Sequence, residues 1–153
     1  MTRRKPLPVV GWRELVHLPE LGLHAVPAKI DTGARTTSLH GTVLEQFERD
    51  GQKYVRFAVD FDRQHVRQIC EAVNVDKRTI TSSNGERQTR FIVKTPLRIG
   101  DVEHRAEISL ADRSDMRFPM LIGRSYLRRR FFVDSGHSWL QTPENPVVEG
   151  HKP

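Results

Sequence analysis

Apolar and polar positions alternate along much of the chain with the two-residue period of β-strands. In residues 54–61, Val55, Phe57 and Val59 occupy alternate positions, which predicts a strand with one buried face. Other stretches that are rich in Val, Leu and Ile and bounded by Gly or Pro predict further strands at 9–18, 23–30, 42–48, 104–111, 118–123, 131–135 and 137–141. We therefore expect an all-β, barrel-like domain with one short helix, at residues 124–130.

Two dipeptides predict tight hairpin turns. Asp50-Gly51 separates the strands predicted at 42–48 and 54–61, and Asn84-Gly85 lies within a longer hairpin predicted at 78–100. Asp-Gly and Asn-Gly favour two-residue type I′ turns, because both turn positions need a positive φ. The tip of the longer hairpin is polar, so we expect it to project into solvent or to fold over another part of the protein.

The length and charge of the chain limit its architecture and partners. A chain of 153 residues suits one domain, and we expect flexible tails at about residues 1–7 and 142–153. The net charge of +6 and the isoelectric point of about 10.0 favour an anionic partner, such as nucleic acid, an acidic protein tail or a ribosome. A solvated basic surface without such a partner is the alternative.

Cysteine usage and hydropathy bear on the cellular compartment. Cys70 is the only cysteine, which excludes an internal disulfide and suits a reducing compartment. The sequence shows no signal peptide and no apolar run of about 20 residues. We therefore expect a cytoplasmic protein that does not enter a membrane.

Several common catalytic motifs are absent from the sequence. It contains no GxxxxGK[ST] loop for nucleotide phosphates, no HExxH zinc motif and no GxSxG nucleophile elbow. The seven histidines lack the close spacing of metal ligands, and Cys70 has no evident catalytic framework, which predicts a core thiol. We therefore expect no metal and no cofactor.

One carboxylate stands out because a predicted strand leads directly into it. Asp31 follows residues 23–30 and precedes Thr32-Gly33, a pair that favours a tight turn. Alone, such an aspartate is as well explained by an ordinary turn. Two such carboxylates close together cannot both ionise, so they share a proton and act as acid and base in peptide hydrolysis.

The order of three features resembles a retroviral-type aspartic protease: the Asp31 turn, the Asn84-Gly85 hairpin, then "MLIGR" (120–124) with a short helix. The chain resembles the retropepsin-like family also labelled ATP-dependent zinc proteases, which is linked to a RimK-type glutamate ligase. The resembling stretches are 9–22, 28–40, 56–59, 78–95 and 112–135. The resemblance implies a pepsin-like closed β-barrel with one short helix and one catalytic aspartate per chain. The zinc and ATP label has no matching motif here.

The resemblance also implies roles for individual residues. Asp31 corresponds to the catalytic aspartate, Thr32 to a residue whose hydroxyl bonds across a dimer, and Gly33 to one that lets backbone approach the substrate. Ser83, Asn84 and Gly85 correspond to the tip of a flap that contacts substrate. Leu121, Ile122 and Gly123 correspond to the segment beneath the catalytic turn. A single Asp-Thr-Gly implies a symmetric homodimer.

The sequence departs from retroviral proteases at two positions. Arg35 stands where they hold an acidic residue, and the partner of that acid corresponds to Arg124. Two arginines cannot form this ion pair. Either Asp112, Asp115 or Glu86 supplies a partner, or Arg35 and Arg124 bind an anionic substrate such as a glutamate-rich tail.

Two functions therefore fit the sequence. The first is a homodimeric aspartic endopeptidase that hydrolyses peptide or protein substrates, including acidic ones. The second is a non-catalytic binding or regulatory module associated with a RimK-type glutamate ligase, with Asp31 inert.

Overall fold

The computed structural model describes residues 6–60, 67–81, 85–111 and 117–141. The described residues form strands, a 3-10 turn at Pro19–Leu21 and one short helix, α1, at Arg124–Leu127. The strands are β1 Val9–Gly11, β2 Arg13–Leu18, β3 Leu23–Ile30, β4 Thr37–His40, β5 Thr42–Arg49, β6 Gln52–Val59, β7 Gln68–Thr81, β8 Arg87–Ile99, β9 Val102–Ala111, β10 Met120–Ile122 and β11 Phe132–Asp134.

Six strands close into a barrel. Their order around the ring is β2-β3-β10-β4-β9-β8, and the pairing of His17 in β2 with Arg98 in β8 completes it. Closure removes the two free edges that an open sheet of these strands would have. The predicted all-β closed barrel with one short helix is confirmed.

The interior of the protein is filled by alternate residues of the barrel strands and of the strands beside them, which form one core cluster. The predicted buried face of β6 is confirmed, since Val55, Phe57 and Val59 are at most 2% exposed. Cys70 is also buried, as predicted for a core thiol, and burial raises the pKa of the thiol to about 11. The other interior residues that are at most 1% exposed are Val10, Val16, Leu18, Val26, Ala28, Leu39, Val93, Leu97, Ile99, Ile108, Met120 and Ile122.

Beyond the barrel, β7, β6 and β5 continue the sheet from β8 as an antiparallel layer. The turn between β5 and β6 confirms the predicted Asp50-Gly51 hairpin, because both residues have the positive φ of a type I′ turn, 53° and 77°. β5 ends the sheet at its outer edge.

The β7–β8 hairpin differs in one respect from the prediction. Thr81 pairs with Arg87, which leaves five residues between the strands, whereas a two-residue turn at positions 84–85 would pair Thr81 with residue 88. The predicted two-residue turn is therefore wrong, although Gly85 does have a positive φ of 85°. Further from the turn, a bulge between Asn74 and Asp76 shifts the register of the two strands once more.

Other elements also differ from the sequence-based expectations. The strand predicted at 9–18 is interrupted at Trp12, and its first part, β1, pairs in parallel with β11 outside the main sheet. The strand predicted at 137–141 is wrong. Backbone N–H groups of Leu140 and Gln141 donate to the buried carboxylate of Glu14, so this segment is not paired as a strand.

Candidate active site

Asp31 lies where two parallel strands end side by side. β3 and β10 pair in register, with Ile30 opposite Ile122, and the Asp31 N–H donates to the Ile122 carbonyl over 2.9 Å. The end of the "MLI" segment therefore fixes the backbone of the aspartate from the neighbouring strand. This brings together two of the three sequence features on which the family resemblance rests.

The turn after Asp31 is held by the aspartate itself. The Gly33 N–H donates to Asp31 Oδ1 over 2.9 Å, and the Ala34 N–H donates to the Asp31 carbonyl over 3.2 Å. A Cβ on Gly33 would lie 3.1 Å from Asp31 Oδ1, a distance that requires the carboxylate to shift. Asp31 is half-buried, so its carboxylate is oriented by the turn and still reaches solvent.

The segment after the turn packs directly on Gly123, the residue before α1. A Cβ on Gly123 would come within 2.5 Å of the Thr36 carbonyl oxygen, so only glycine fits there. The Gly123 N–H donates to the buried Thr37 Oγ1 over 3.1 Å. The strand that follows the Asp31 turn and the start of α1 are thus held together.

Helix α1 also donates hydrogen bonds to the Asp31 turn. Its first two backbone N–H groups, those of Arg124 and Ser125, donate to the carbonyls of Ala34 and Arg35 over 2.8 and 3.0 Å. Through its side chain, Arg124 donates from Nη1 to the Thr32 carbonyl at 3.3 Å and the Gly33 carbonyl at 3.0 Å. Arg124, which the sequence nominated for substrate binding, thus holds the turn itself.

Arg35 is exposed beside the same turn. Within the described ranges neither Arg35 nor Arg124 forms an ion pair with a carboxylate. Two of the acidic partners considered from the sequence, Asp112 and Asp115, lie outside those ranges. The guanidinium of Arg35 is thus available to an anion at the edge of the turn.

A cavity of about 550 Å³ borders the turn on the side of α1. Thr32 lies on its wall, with arginine side chains around its rim and apolar side chains on its floor. Its lining residues are Thr32, Arg35, Arg124, Ser125, Leu127, Arg128, Phe131 and Val133. We refer to it as the turn cavity.

The structure brings together five of the residues nominated from the sequence: Asp31, Thr32, Gly33, Arg35 and Arg124. The flap residues are a separate matter. Ser83 and Asn84 lie outside the described residues. Gly85 is exposed at the end of the β7–β8 hairpin, and an added Cβ there would meet nothing within 4 Å.

Neither a metal site nor a membrane span is found in the described parts of the chain. No three His, Cys, Asp or Glu side chains among those residues are grouped so that they could hold a metal ion. No helix there is long and apolar enough to cross a membrane.

Residues 9–144 match the family described as "RimB-like: Retropepsin-like aspartic endopeptidase RimB". The chain belongs to this family. The match covers the Asp31 turn, the β7–β8 hairpin and the segment from β10 to α1.

Relatives of this RimB-like chain include longer proteins with a different name. A "Probable alpha-L-glutamate ligase" of Desulfotalea psychrophila is 37% identical over 129 residues, which cover 82% of this chain and 28% of the relative. A protein of the same name from Shewanella halifaxensis is 33% identical over 142 residues, covering 91% of this chain and 31% of the relative. The RimB-like chain thus spans about a third or less of these relatives.

A solved structure has the same fold. The crystal structure of a protein of unknown function from Legionella pneumophila matches with a TM-score of 0.76 and 26% sequence identity. The match covers 88% of this chain and 98% of that chain. The fold of the RimB-like chain is thus shared over nearly the full length of that protein.

Sequence reasoning missed two contributors to the site of this RimB-like chain. Thr37, whose hydroxyl accepts from Gly123, belongs to β4, a strand that was not predicted. The contact of Arg124 with the turn carbonyls was not predicted either. The polar run "RTTS" after the Asp-Thr-Gly was the available signal for Thr37, and the contact of Arg124 left no signal in the sequence.

Proposed function

We propose that the protein is an aspartic endopeptidase that works as a homodimer. The observation that carries this proposal is the fixing of Asp31 by two hydrogen bonds, from its N–H to Ile122 and from Gly33 to its carboxylate. A carboxylate held in this way, half-buried at the surface of a rigid barrel, can meet its copy in a second chain. Membership of the RimB-like family supports the reaction class.

The proposed chemistry uses two Asp31 carboxyl groups that share one proton. Their mutual repulsion keeps one protonated. The ionised carboxylate takes a proton from water as the water oxygen bonds to the peptide carbonyl carbon, and the protonated partner gives its proton to the carbonyl oxygen. Collapse of the tetrahedral intermediate breaks the C–N bond. The leaving amine takes a proton from one carboxyl, and a hydroxyl proton of the intermediate passes to the other.

The surface next to the catalytic turn suits a second copy of the chain. β1 and β11 form a small two-stranded sheet apart from the barrel, and on it Val9 is 38% exposed and Phe132 60% exposed. The turn cavity lies beside this sheet and includes Thr32 and Val133 in its wall. A partner that covers these apolar residues would bring the two Thr32 hydroxyls and the two Asp31 carboxylates to the two-fold axis.

Acidic peptides are the substrates that the charges favour. Arg35 is exposed beside the turn and forms no ion pair within the described residues, whereas Nη1 of Arg124 is bonded to the turn carbonyls. Guanidinium groups bind carboxylates in a bidentate manner, so a glutamate-rich segment would be held next to Asp31. By the family resemblance, Ser83, Asn84 and Gly85 are proposed to contact the bound peptide as a flap.

The decisive variant is Asp31→Asn, tested on purified full-length chain with a peptide library that contains acidic and neutral members. Cleavage should fall by at least about 100-fold, because asparagine can neither accept nor donate the catalytic proton. Asp101→Asn, in an exposed turn, is the matched control and should cleave normally. The wild-type rate should fall as the pH rises through the upper apparent pKa of the pair. Unchanged cleavage by Asp31→Asn would exclude the mechanism.

A second candidate is a non-catalytic module that regulates a glutamate ligase. It is favoured by the match of this chain to proteins named probable alpha-L-glutamate ligase. The matched segment makes up 28–31% of each of these proteins, and the rest of each protein lies outside the match. In that case Asp31→Asn would leave partner binding and every measurable activity intact. Parallel pull-down and cleavage assays on the same variant therefore separate the two functions.

A further inference from the structure

A second cavity of about 550 Å³ lies beside the barrel, between the β7–β8 hairpin, β9 and α1. Four arginines line it, one from each neighbouring part of the fold: Arg35 after the catalytic turn, Arg78 on β7, Arg105 on β9 and Arg130 after α1. Glu107 is the one carboxylate among its described lining residues. We call it the arginine cavity. Asp31 is not among the described residues that line it.

Two of the four arginines have partners inside the protein. Arg78 forms ion pairs with Asp76 at 2.7 Å and with Glu107 at 3.7 Å. Arg130 donates to the Tyr126 carbonyl over 3.0 Å, a bond that leaves its charge uncompensated.

The other two, Arg35 and Arg105, form no ion pair within the residues that the structure describes. Asp76 and Glu107 both pair with Arg78, so the charges of Arg35, Arg105 and Arg130 have no ion-pair partner in the described protein. Guanidinium groups around one cavity can bind an oxyanion through charge-assisted hydrogen bonds.

The floor of the cavity carries a second, independent sign of a missing ligand. Ser109 on β9 is 3% exposed, and its Oγ has no hydrogen-bond partner among the described residues. A buried hydroxyl without a partner is costly and is uncommon in folded proteins. Because Ser109 lines the arginine cavity, a bound group with acceptor oxygens could take up its O–H.

We propose that the arginine cavity is a binding site for an oxyanion, a carboxylate or phosphate group, next to the turn cavity, with which it shares Arg35 and Ser125. The volume lies within the range of about 300–1,000 Å³ that is usual for small-molecule sites, so the cavity has room for the group that carries the anion. Arg78 belongs to the hairpin, and Arg35 follows the catalytic turn. An anion bound by both would therefore hold the hairpin at a set position relative to the turn.

The test is calorimetric titration of the full-length chain at constant ionic strength, with chloride as the balancing anion. One series uses inorganic phosphate and the other uses N-acetyl-glutamate amide. Wild type should bind at least one probe saturably, and Arg105→Gln should weaken that binding at least about tenfold, as loss of a charge-assisted pair predicts. Arg67→Gln is the control, because Arg67 directly precedes β7 and lies roughly 35 Å along the strand from Arg78. This variant should bind the probe as wild type does.

Ser109→Ala provides a second variant that separates binding from folding. Removal of the unpartnered hydroxyl should leave the thermal stability of the ligand-free protein equal or higher, while affinity for the probe falls. Saturable binding of phosphate alone would assign the site to a free or esterified phosphate, and binding of the glutamate derivative alone to a carboxylate. The proposal is overturned if neither probe saturates, or if Arg105→Gln and Ser109→Ala both bind as wild type does.

Discussion

Arg124 and Arg35 both line the turn cavity, but their surroundings differ. We therefore expect their substitution to affect peptide cleavage in different ways. Arg124 Nη1 is bonded to the Thr32 and Gly33 carbonyls, so it positions the turn whatever substrate is bound. Among the residues that the structure describes, the side chain of Arg35 makes no such bond. Selective recognition of acidic peptides is therefore expected to depend on Arg35.

Arg124→Ala should accordingly lower kcat/KM for acidic and neutral peptides by the same factor, about tenfold, because a misplaced catalytic group slows every substrate. Arg35→Ala should lower kcat/KM for acidic peptides only. Paired kinetics on one acidic and one neutral peptide measure this, with Arg67→Ala as the exposed control. A selective loss of acidic peptide cleavage in Arg124→Ala would show that Arg124 contacts substrate instead.

Glu14 is a fully buried carboxylate that joins the two ends of the described chain. Its oxygens accept the N–H groups of Gly11 at 2.7 Å, Leu140 at 2.9 Å and Gln141 at 3.0 Å. The same segment approaches Gly11 so closely that a Cβ there would lie 2.3 Å from the His137 carbonyl oxygen. Glu14 thus holds the segment after β11, together with backbone hydrogen bonds from Trp12 to His137 and from Trp139 to Arg13.

Glu14→Gln should lower the free energy of unfolding by about 2–3 kcal/mol, because three N–H donors lose a charged acceptor in a buried setting. Urea denaturation followed by tryptophan fluorescence measures the loss. Glu20→Gln, at an exposed glutamate, should change stability by less than about 0.5 kcal/mol. Equal stability of the two variants would mean that the hydrogen bonds to the Glu14 carboxylate make no net contribution to the free energy of unfolding.

At the scale of elements, the sheet formed by β5, β6 and β7 carries a cross-strand charge network. Arg56 on β6 pairs with Glu71 on β7 at 3.0 Å and with Glu45 on β5, and Arg49 adds a pair to Glu71 at 3.3 Å. The hydrogen bond from Arg56 is the largest reason that the pKa of Glu71 lies below its ordinary value of 4.5. These side chains are largely exposed, so the network adjusts stability rather than determining the fold.

The direction of the Glu71 pKa shift predicts a pH effect. A carboxylate whose pKa is lower in the folded state stabilises the fold above its unfolded pKa, and this contribution disappears as the pH falls through the folded value. Glu71→Gln should therefore flatten the loss of stability below about pH 4.5. Urea midpoints from pH 6 to pH 3 measure the slope, and Glu48→Gln, an exposed glutamate on β5, should keep the wild-type slope.

The elements also show where sequence reasoning succeeds. The buried face of β6 and the Asp50-Gly51 turn were predictable because each depends on a few consecutive residues. β4 was not predicted, since "TSLH" is short and mixed in character and becomes a strand by pairing with β9 and β10. The strand predicted at 137–141 failed because its N–H groups bind Glu14, more than a hundred residues away.

At the scale of the whole molecule, the proposed activity requires two chains. Phe132 is the most exposed large apolar residue described and lies on β11, beside the turn cavity. Leu44, 44% exposed on the outer strand β5, offers a matched apolar residue away from this surface. The two residues allow the dimer surface to be tested with one type of substitution.

Phe132→Asp should shift sedimentation equilibrium to monomer and reduce peptide cleavage in parallel, because a buried unpaired charge opposes association at the interface. Leu44→Asp should leave both measurements unchanged. A wild-type chain that stays monomeric at high concentration yet cleaves peptides would contradict the shared-proton mechanism.

The sequence by itself determined the local features: strand periodicity, the Asp50-Gly51 turn and an aspartate followed by Thr-Gly. Local sterics and side-chain alternation act over a few residues, so they can be read from a single stretch. Only the tertiary structure decided that Arg124 bonds to turn carbonyls 91 and 92 positions away, that Glu14 holds the segment after β11, and that Arg105 and Ser109 line one cavity. Closure of the barrel creates these contacts, and no short stretch of sequence encodes which distant residues closure will bring together.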